Sequence, residues 1–256
     1  MSNPAPVAVA LDAPDLETAA RWAAAVTPHV STVKIGLELY LRYGPDVVAS
    51  IRGASGVRVF LDLKLHDIPA TVARAARIVA RLHPDLLTVH ASGGADVVRA
   101  AAEGAPGTKI AAVTLLTSLD EDQLGRIGVT GSVHDAVLRL SALAVEAGAQ
   151  GIVCSPREVS AVRAEVGPDV TLITPGVRPA GSAAYDQARV ATPEEAIKAG
   201  SDLLVIGRPI TGAADPGAAA ATIAASLRRL TPARKLAPAM SYRQMPPREA
   251  SALTKR

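Results

Sequence analysis

Short runs of apolar and β-branched residues recur along the chain and alternate with longer Ala-rich stretches. The runs at 7–12, 32–39, 58–65 and 86–91, then 109–117, 151–155, 171–176 and 203–208, predict eight strands. Helical patterns fall between them, near 14–27, 44–52, 69–82, 94–103, 133–147, 156–165, 192–199 and 215–229. Pro14, Pro45, Pro69, Pro156 and Pro193 stand where a first helical turn has no use for an N–H. Gly148 and Gly200 follow two of the segments in the manner of C-terminal caps. Eight strands alternating with eight helices imply parallel β-α-β units. A closed eightfold barrel fits this count, and a doubly wound open sheet competes with it. The dinucleotide-binding form of the open sheet is unsupported, since no Gly-x-Gly-x-x-Gly follows the first strand.

Composition narrows the picture. Of 256 residues, 49% are hydrophobic and only 2% aromatic, so a large core must be built from Ala, Val, Leu and Ile. The scarcity of aromatics argues against a protein that stacks nucleic-acid bases. A single cysteine, Cys154, excludes an internal disulfide framework and a cysteine-cluster metal site. No apolar run reaches membrane-spanning length, and the first dozen residues do not resemble a secretory signal, so the expected compartment is the reducing cytoplasm. The net charge of +3 conceals an uneven distribution. Eight of the 27 Lys and Arg lie from Arg228 onward, against one of the 24 acids, Glu249. The preceding 227 residues thus hold 19 bases and 23 acids, a net charge of −4. The Pro-, Ala- and Arg-rich stretch 231–256 reads as a solvated, poorly ordered tail outside a domain over 1–230, and not as a nucleic-acid arm.

If the strands close into a barrel, working groups belong at their C-terminal ends. The first strand ends in Asp12 and the second carries Lys34 in an apolar run. The third holds Asp62 and Lys64, followed by His66 and Asp67. Alternation along a strand puts Asp62 and Lys64 on one face and Leu61, Leu63 and Leu65 on the other. In isolation such a pair also suits a half-exposed strand. A barrel strand has no water-facing side, however, and burying opposite charges costs several kcal/mol unless they are paired. Asp62, Lys64 and Lys34 therefore form a candidate site. Strands seven and eight run into Gly176 with Arg178 and Gly207 with Arg208, glycine for close backbone approach and a guanidinium fork for phosphate. Other residues are less telling. Asp12 also suits a helix cap, Thr117 and Ser118 a strand-end turn, His90 a structural histidine and Cys154 the core. His66 has no His or Cys neighbour that would make it a metal ligand.

The segment 60–72 (FLDLKLHDIPATV) resembles the signature of the orotidine 5′-phosphate decarboxylase family. Similar matches run in order through 10–12, 33–36, 89–94, 115–119, 174–184, 186–187 and 206–210. The resemblance implies an α/β fold, a single (βα)8 TIM barrel. It also implies decarboxylation of orotidine 5′-phosphate to uridine 5′-monophosphate and CO2, with no cofactor and no metal. By position, Lys34, Asp62, Lys64 and Asp67 match the family's charged network, with Lys64 the proton donor. Asp12 and Lys34 would hold the ribose hydroxyls, and Thr117 and Ser118 the pyrimidine edge. Arg178, Gln187, Gly207 and Arg208 would bind the phosphate. A homodimer is implied in which Asp67 and Thr71 enter the neighbouring subunit's site; nucleic acid and membrane are not expected partners. Tyr185 departs from the small residue common in the family's phosphate-side loop. Two rivals remain: a magnesium-dependent sugar-phosphate decarboxylase or aldolase, which needs a further carboxylate where Lys34 stands, and a non-catalytic barrel that binds a phosphate ligand.

Overall fold

The structure is a computed structural model that describes residues 4–179, 191–228 and 230. Eight parallel strands close into a barrel in sequence order, β1 pairing with β8. The strands are β1 Ala5–Ala10, β2 Val30–Gly36, β3 Arg58–Leu65, β4 Leu86–His90, β5 Lys109–Val113, β6 Gly151–Val153, β7 Thr171–Thr174 and β8 Leu203–Ile206. The open-sheet alternative is thereby set aside. The tail 231–256 lies outside the described residues.

The period-two alternation divides the apolar side chains into two layers. One set, which includes Val7, Val9, Val33, Ile35 and Leu61, packs outward with the helices. The other is small: Ala8, Phe60, Leu86, Ala111, Ile173 and Leu203, with Val153 and Val205 against them. This is the barrel interior. The chain's one phenylalanine is here, 1% exposed, surrounded by alanines and aliphatics that leave room for its ring.

The entrance to the barrel is held by a recurring clip. Asp85, just before β4, donates its N–H to Val59 O of β3 and accepts Val59 N–H on its carboxylate, at 2.8 Å each way. Gln150 before β6 does the same with Ile110 of β5, at 3.0 and 2.8 Å. Asp202 before β8 does it with Leu172 of β7, at 2.9 Å both ways. Each clip satisfies a backbone donor at the strand entrance and fixes the register of a neighbouring pair. The two carboxylates among these clips also meet an arginine from the helix before the clipped strand, Arg52 with Asp85 and Arg163 with Asp202.

The helices differ from expectation mostly at their starts. Asp15, not Asp12, caps the helix Leu16–Val26, accepting Thr18 N–H at 2.7 Å. Pro14 therefore precedes the cap, and Asp12 is left for other work. Pro69 and Pro193 do open their helices, Pro69–Ala80 and Pro193–Lys198, whereas Pro156 lies in a turn three residues before Val159–Val166. Three further short helices, Leu37–Tyr43, Glu121–Arg126 and Arg208–Thr211, were not anticipated. Gly148 and Gly200 adopt φ of 100° and 111° just past their helices, as the capping assignment requires.

Phe60→Ala is expected to cost about 3–5 kcal/mol, because the small neighbours of the ring cannot collapse to fill the void. Chemical denaturation of parent and variant measures this directly.

Candidate active site

Charged residues on β2 and β3 and just after β1 converge at the C-terminal mouth of the barrel. Ala10 pairs with Lys34, Lys34 with Phe60 and Gly36 with Asp62. Lys34 thus starts level with the Phe60 ring, two residues below the level of Asp62, and its long side chain reaches the Asp62 carboxylate. Asp62 is the hub. Its Oδ1 accepts from Lys64 Nζ at 2.8 Å and from the Thr88 hydroxyl at 3.1 Å, and its Oδ2 faces Lys34 Nζ at 3.3 Å. Lys34 Nζ also lies 3.8 Å from Asp12 Oδ1. The Lys34 side chain is 11% exposed and that of Asp62 13%, whereas Asp12 is open to solvent at 61%.

Burial pushes the Asp62 carboxyl up. The facing ammonium groups of Lys34 and Lys64, with hydrogen bonds from Lys64 and Thr88, outweigh it and leave the group below its ordinary value. Asp62 is thus ionised at neutral pH. Its stabilising contribution is present above the ordinary carboxylate pKa and is lost as pH falls through the lower folded value. His90, at the end of β4, is driven towards its neutral form by burial, then by His66 and Lys64. Its ring lies 5.1 Å from that of His66, centroid to centroid. Cys154 sits at the cavity wall with its thiol pushed up to about 12 by burial and by Glu158, which keeps it protonated and unreactive.

Lys64 is reached by an irregular path. On β3 and β4, Leu61 pairs with Leu87 and Leu65 with Val89, so four residues of one strand span two of the other. Lys64 adopts φ of +51°, a region uncommon for any residue with a side chain. Leu65 rejoins the ladder to β4 beyond the bulge, and Lys64, within it, lines the cavity at the mouth.

Across the mouth, the loops after β7 and β8 complete a cavity of about 300 Å³. Asp12, Lys34, Asp62 and Lys64 line one side, and Gly176, Arg178, Gly207 and Arg208 the other. Four cations face two carboxylates, so the cavity suits an anionic ligand. Arg178 is only 7% exposed although it borders the cavity, and Gly176 carries φ of +78°, which a glycine tolerates without strain. The β8 loop at Gly207 lies over Ala10, where a Cβ at 207 would meet Ala10 Cβ at 3.5 Å, an ordinary contact.

This arrangement accords with comparison to known proteins. The model of the orotidine 5′-phosphate decarboxylase / HUMPS family matches residues 5–223. The chain belongs to that family. It is 73% identical over 225 residues to a protein of Thermobifida fusca named orotidine 5′-phosphate decarboxylase, covering 88% of this chain and 97% of that one. It is 60% identical over 240 residues to a protein of the same name from Frankia casuarinae, covering 87% and 88%. Among solved structures, the orotidine 5′-phosphate decarboxylase of Lactobacillus acidophilus superposes with a TM-score of 0.75 at 38% identity, covering 85% of this chain and 96% of that one.

Within one chain of this family member, most of the anticipated site residues border the cavity and some do not. Thr117 lines it, but four residues beyond the end of β5 and in a turn; the expected strand over 109–117 stops at Val113. Ser118 is exposed and does not border the cavity. Asp67 and Thr71 also lie away from it. Asp67 is exposed and its carboxylate accepts its neighbour Ile68 N–H at 2.6 Å, while Thr71 sits in the first turn of Pro69–Ala80. Gln187 and Tyr185 lie outside the described residues. Among the described residues, no group of three His, Cys, Asp or Glu side chains could hold a metal.

Two residues of the site escaped the sequence reading. Thr88 could have been suspected as a hydroxyl at an inward position of an otherwise apolar strand. Gly36 could have been suspected as a glycine within β2. A Cβ at Gly36 would stand 3.2 Å from Lys34 Nζ and 3.3 Å from Asp12 Oδ1, so glycine leaves room for that ion pair. Its backbone, at φ −90° and ψ −179°, suits any residue. Gly36→Ala is therefore expected to fold and melt close to the parent while losing activity about tenfold or more through displaced charges. Thermal melts beside a steady-state decarboxylase assay check this.

Proposed function

We propose that this chain decarboxylates orotidine 5′-phosphate to uridine 5′-monophosphate and CO2, the last step in making that nucleotide de novo. The observation that carries the reading is the Lys34–Asp62–Lys64 network, set across a cavity from Arg178 and Arg208. A substrate with a phosphate at one end and a carboxylate at the other has anionic groups for both sides of such a cavity.

In this reading Arg178, Arg208 and the Gly207 backbone hold the phosphate, joined by Gln187. Asp12 and Lys34 hold the ribose hydroxyls, and Thr117 and Ser118 meet the pyrimidine edge. The substrate carboxylate lies beside Asp62. As the bond from carbon 6 to the carboxylate breaks, CO2 departs and the electron pair stays in the plane of the ring at carbon 6. The Lys64 ammonium stabilises that charge and delivers one proton to it, forming the new C–H bond and leaving a neutral amine that solvent reprotonates. No imine, metal or organic electron sink takes part. Lys34 supports this reading over the magnesium-dependent one, because its ammonium lies within 3.3 Å of Asp62 and 3.8 Å of Asp12, where a bound cation would be repelled. Phosphate binding is remote from carbon 6 and supplies free energy for ordering the site.

Asp67 and Thr71 act in the site of a second copy of the chain in a homodimer. Their distance from the cavity of their own chain supports this, as does the exposure of Ile68 between them, at 64%. The reducing cytoplasm fits the single buried cysteine. Among the described residues no helix is long and apolar enough to cross a membrane.

Lys64→Ala is expected to lower kcat by about 10³-fold or more while uridine 5′-monophosphate affinity changes only a few-fold. Steady-state kinetics and calorimetric titration separate the two, and substantial turnover in the variant would remove Lys64 from the role of proton donor. Subunit mixing tests the shared site. Lys64→Ala and Asp67→Ala proteins, each inactive alone, are expected to regain activity once their subunits exchange. One site of the hybrid dimer then holds both defects and the other neither. Exchanged mixtures that stay inactive would confine Asp67 to its own chain.

A further inference from the structure

Thr88 lies beneath the charged network and does not border the cavity. It is fully buried at an inward position of β4, opposite the stretch where β3 carries its two extra residues. The regular ladder between these strands is interrupted from Leu61 to Leu65. Within that gap Lys64 N–H donates to Thr88 Oγ1 at 2.8 Å. An amide nitrogen can only donate, so the hydroxyl must accept there. Its single proton is then free for Asp62 Oδ1, 3.1 Å away. The same Oδ1 accepts from Lys64 Nζ at 2.8 Å.

These contacts close a ring. The Thr88 hydroxyl ties the backbone of Lys64 to the carboxylate that holds the ammonium of Lys64. One group thereby stabilises the positive φ at Lys64 and selects the orientation of Asp62. We propose that Thr88 is a positioning residue for the decarboxylation, holding the Lys64 ammonium where the proton is delivered. The proposal rests on the reading of Lys64 as the proton donor. The phosphate-side residues Arg178 and Arg208 make none of these contacts, so the hold on the nucleotide's phosphate does not depend on the hydroxyl. Its loss falls on the chemical step.

Thr88→Val keeps the volume and removes the hydroxyl, leaving Lys64 N–H without its acceptor and Asp62 without one donor. The expected result is a fall in kcat of about 10- to 100-fold, the scale of a small misplacement of a reacting group. KM and uridine 5′-monophosphate affinity should stay within about threefold, and Thr88→Ser should recover most of the turnover. If the valine variant fails to fold, Thr88→Ala is judged by the same criteria. Lys64→Ala is measured alongside. If it is inactive while the Thr88 variant turns over like the parent, or if the serine variant recovers nothing, the role of Thr88 is overturned and that of Lys64 stands. If kcat and nucleotide affinity fall together with the melting temperature, Thr88 is merely structural and the proposal is overturned. If Lys64→Ala itself retains substantial turnover, the reading of the donor fails and the proposal fails with it.

Discussion

Two ammonium groups and a carboxylate share the mouth of a closed barrel whose walls offer them little water, and each is tolerable only because the others are there. Asp62 faces Lys34 and Lys64 at 3.3 and 2.8 Å, and its charged form is favoured despite burial. Removing one member would leave its partner buried and uncompensated, the costly way to break such a set. The geometry of the mouth follows from this constraint. β2 and β3 must keep the register that sets Lys34 within reach of Asp62, and residue 36 must be small enough to leave the ion pair its space.

The two ends of the barrel answer different demands. At the entrance, Asp85, Gln150 and Asp202 repeat one two-bond clip at β4, β6 and β8, and the strand pairs so clipped start in regular register. Phe60 fills the interior above that level. At the exit, β3 takes on extra residues, Lys64 takes a positive φ and the ladder to β4 breaks. Irregular backbone of this kind persists where its surroundings determine it, and it sits where side chains must be re-aimed. The clip between Asp85 and Val59 permits this, because the register of β3 against β4 is already secured below the break.

How much of this could be read in advance depends on whether the signal was local. Eight strands were legible because each apolar run is bounded by turn residues. The charged pattern of β3 was legible because charges alternate where a barrel strand should be apolar. Element ends were less so. Leu115 and Leu116 prolong the apolar run of β5 past Val113, and Leu37–Tyr43 follows β2 with only Gly36 to mark the change. The turn that carries Thr117 and Ser118 was hidden for the same reason, since the apolar run masked the end of the strand. The bulge left no mark in the residues that form it. Thr88 became visible only with the register of β3 against β4, a relation between segments more than twenty residues apart.

The charge balance of the mouth links the chemistry to assembly. In one chain the inner network holds Lys34 and Lys64 against Asp62, an excess of one positive charge, with Asp12 largely in solvent. On the proposed reading, Asp67 of a second copy joins this network and makes the charges alternate, two cations and two anions. Asp67 and Ile68 lie past the end of β3, where a carboxylate and an exposed apolar side chain stand next to one another. On that same reading the end of β3 divides its work, Lys64 serving the cavity of its own chain and Asp67, three residues on, that of another.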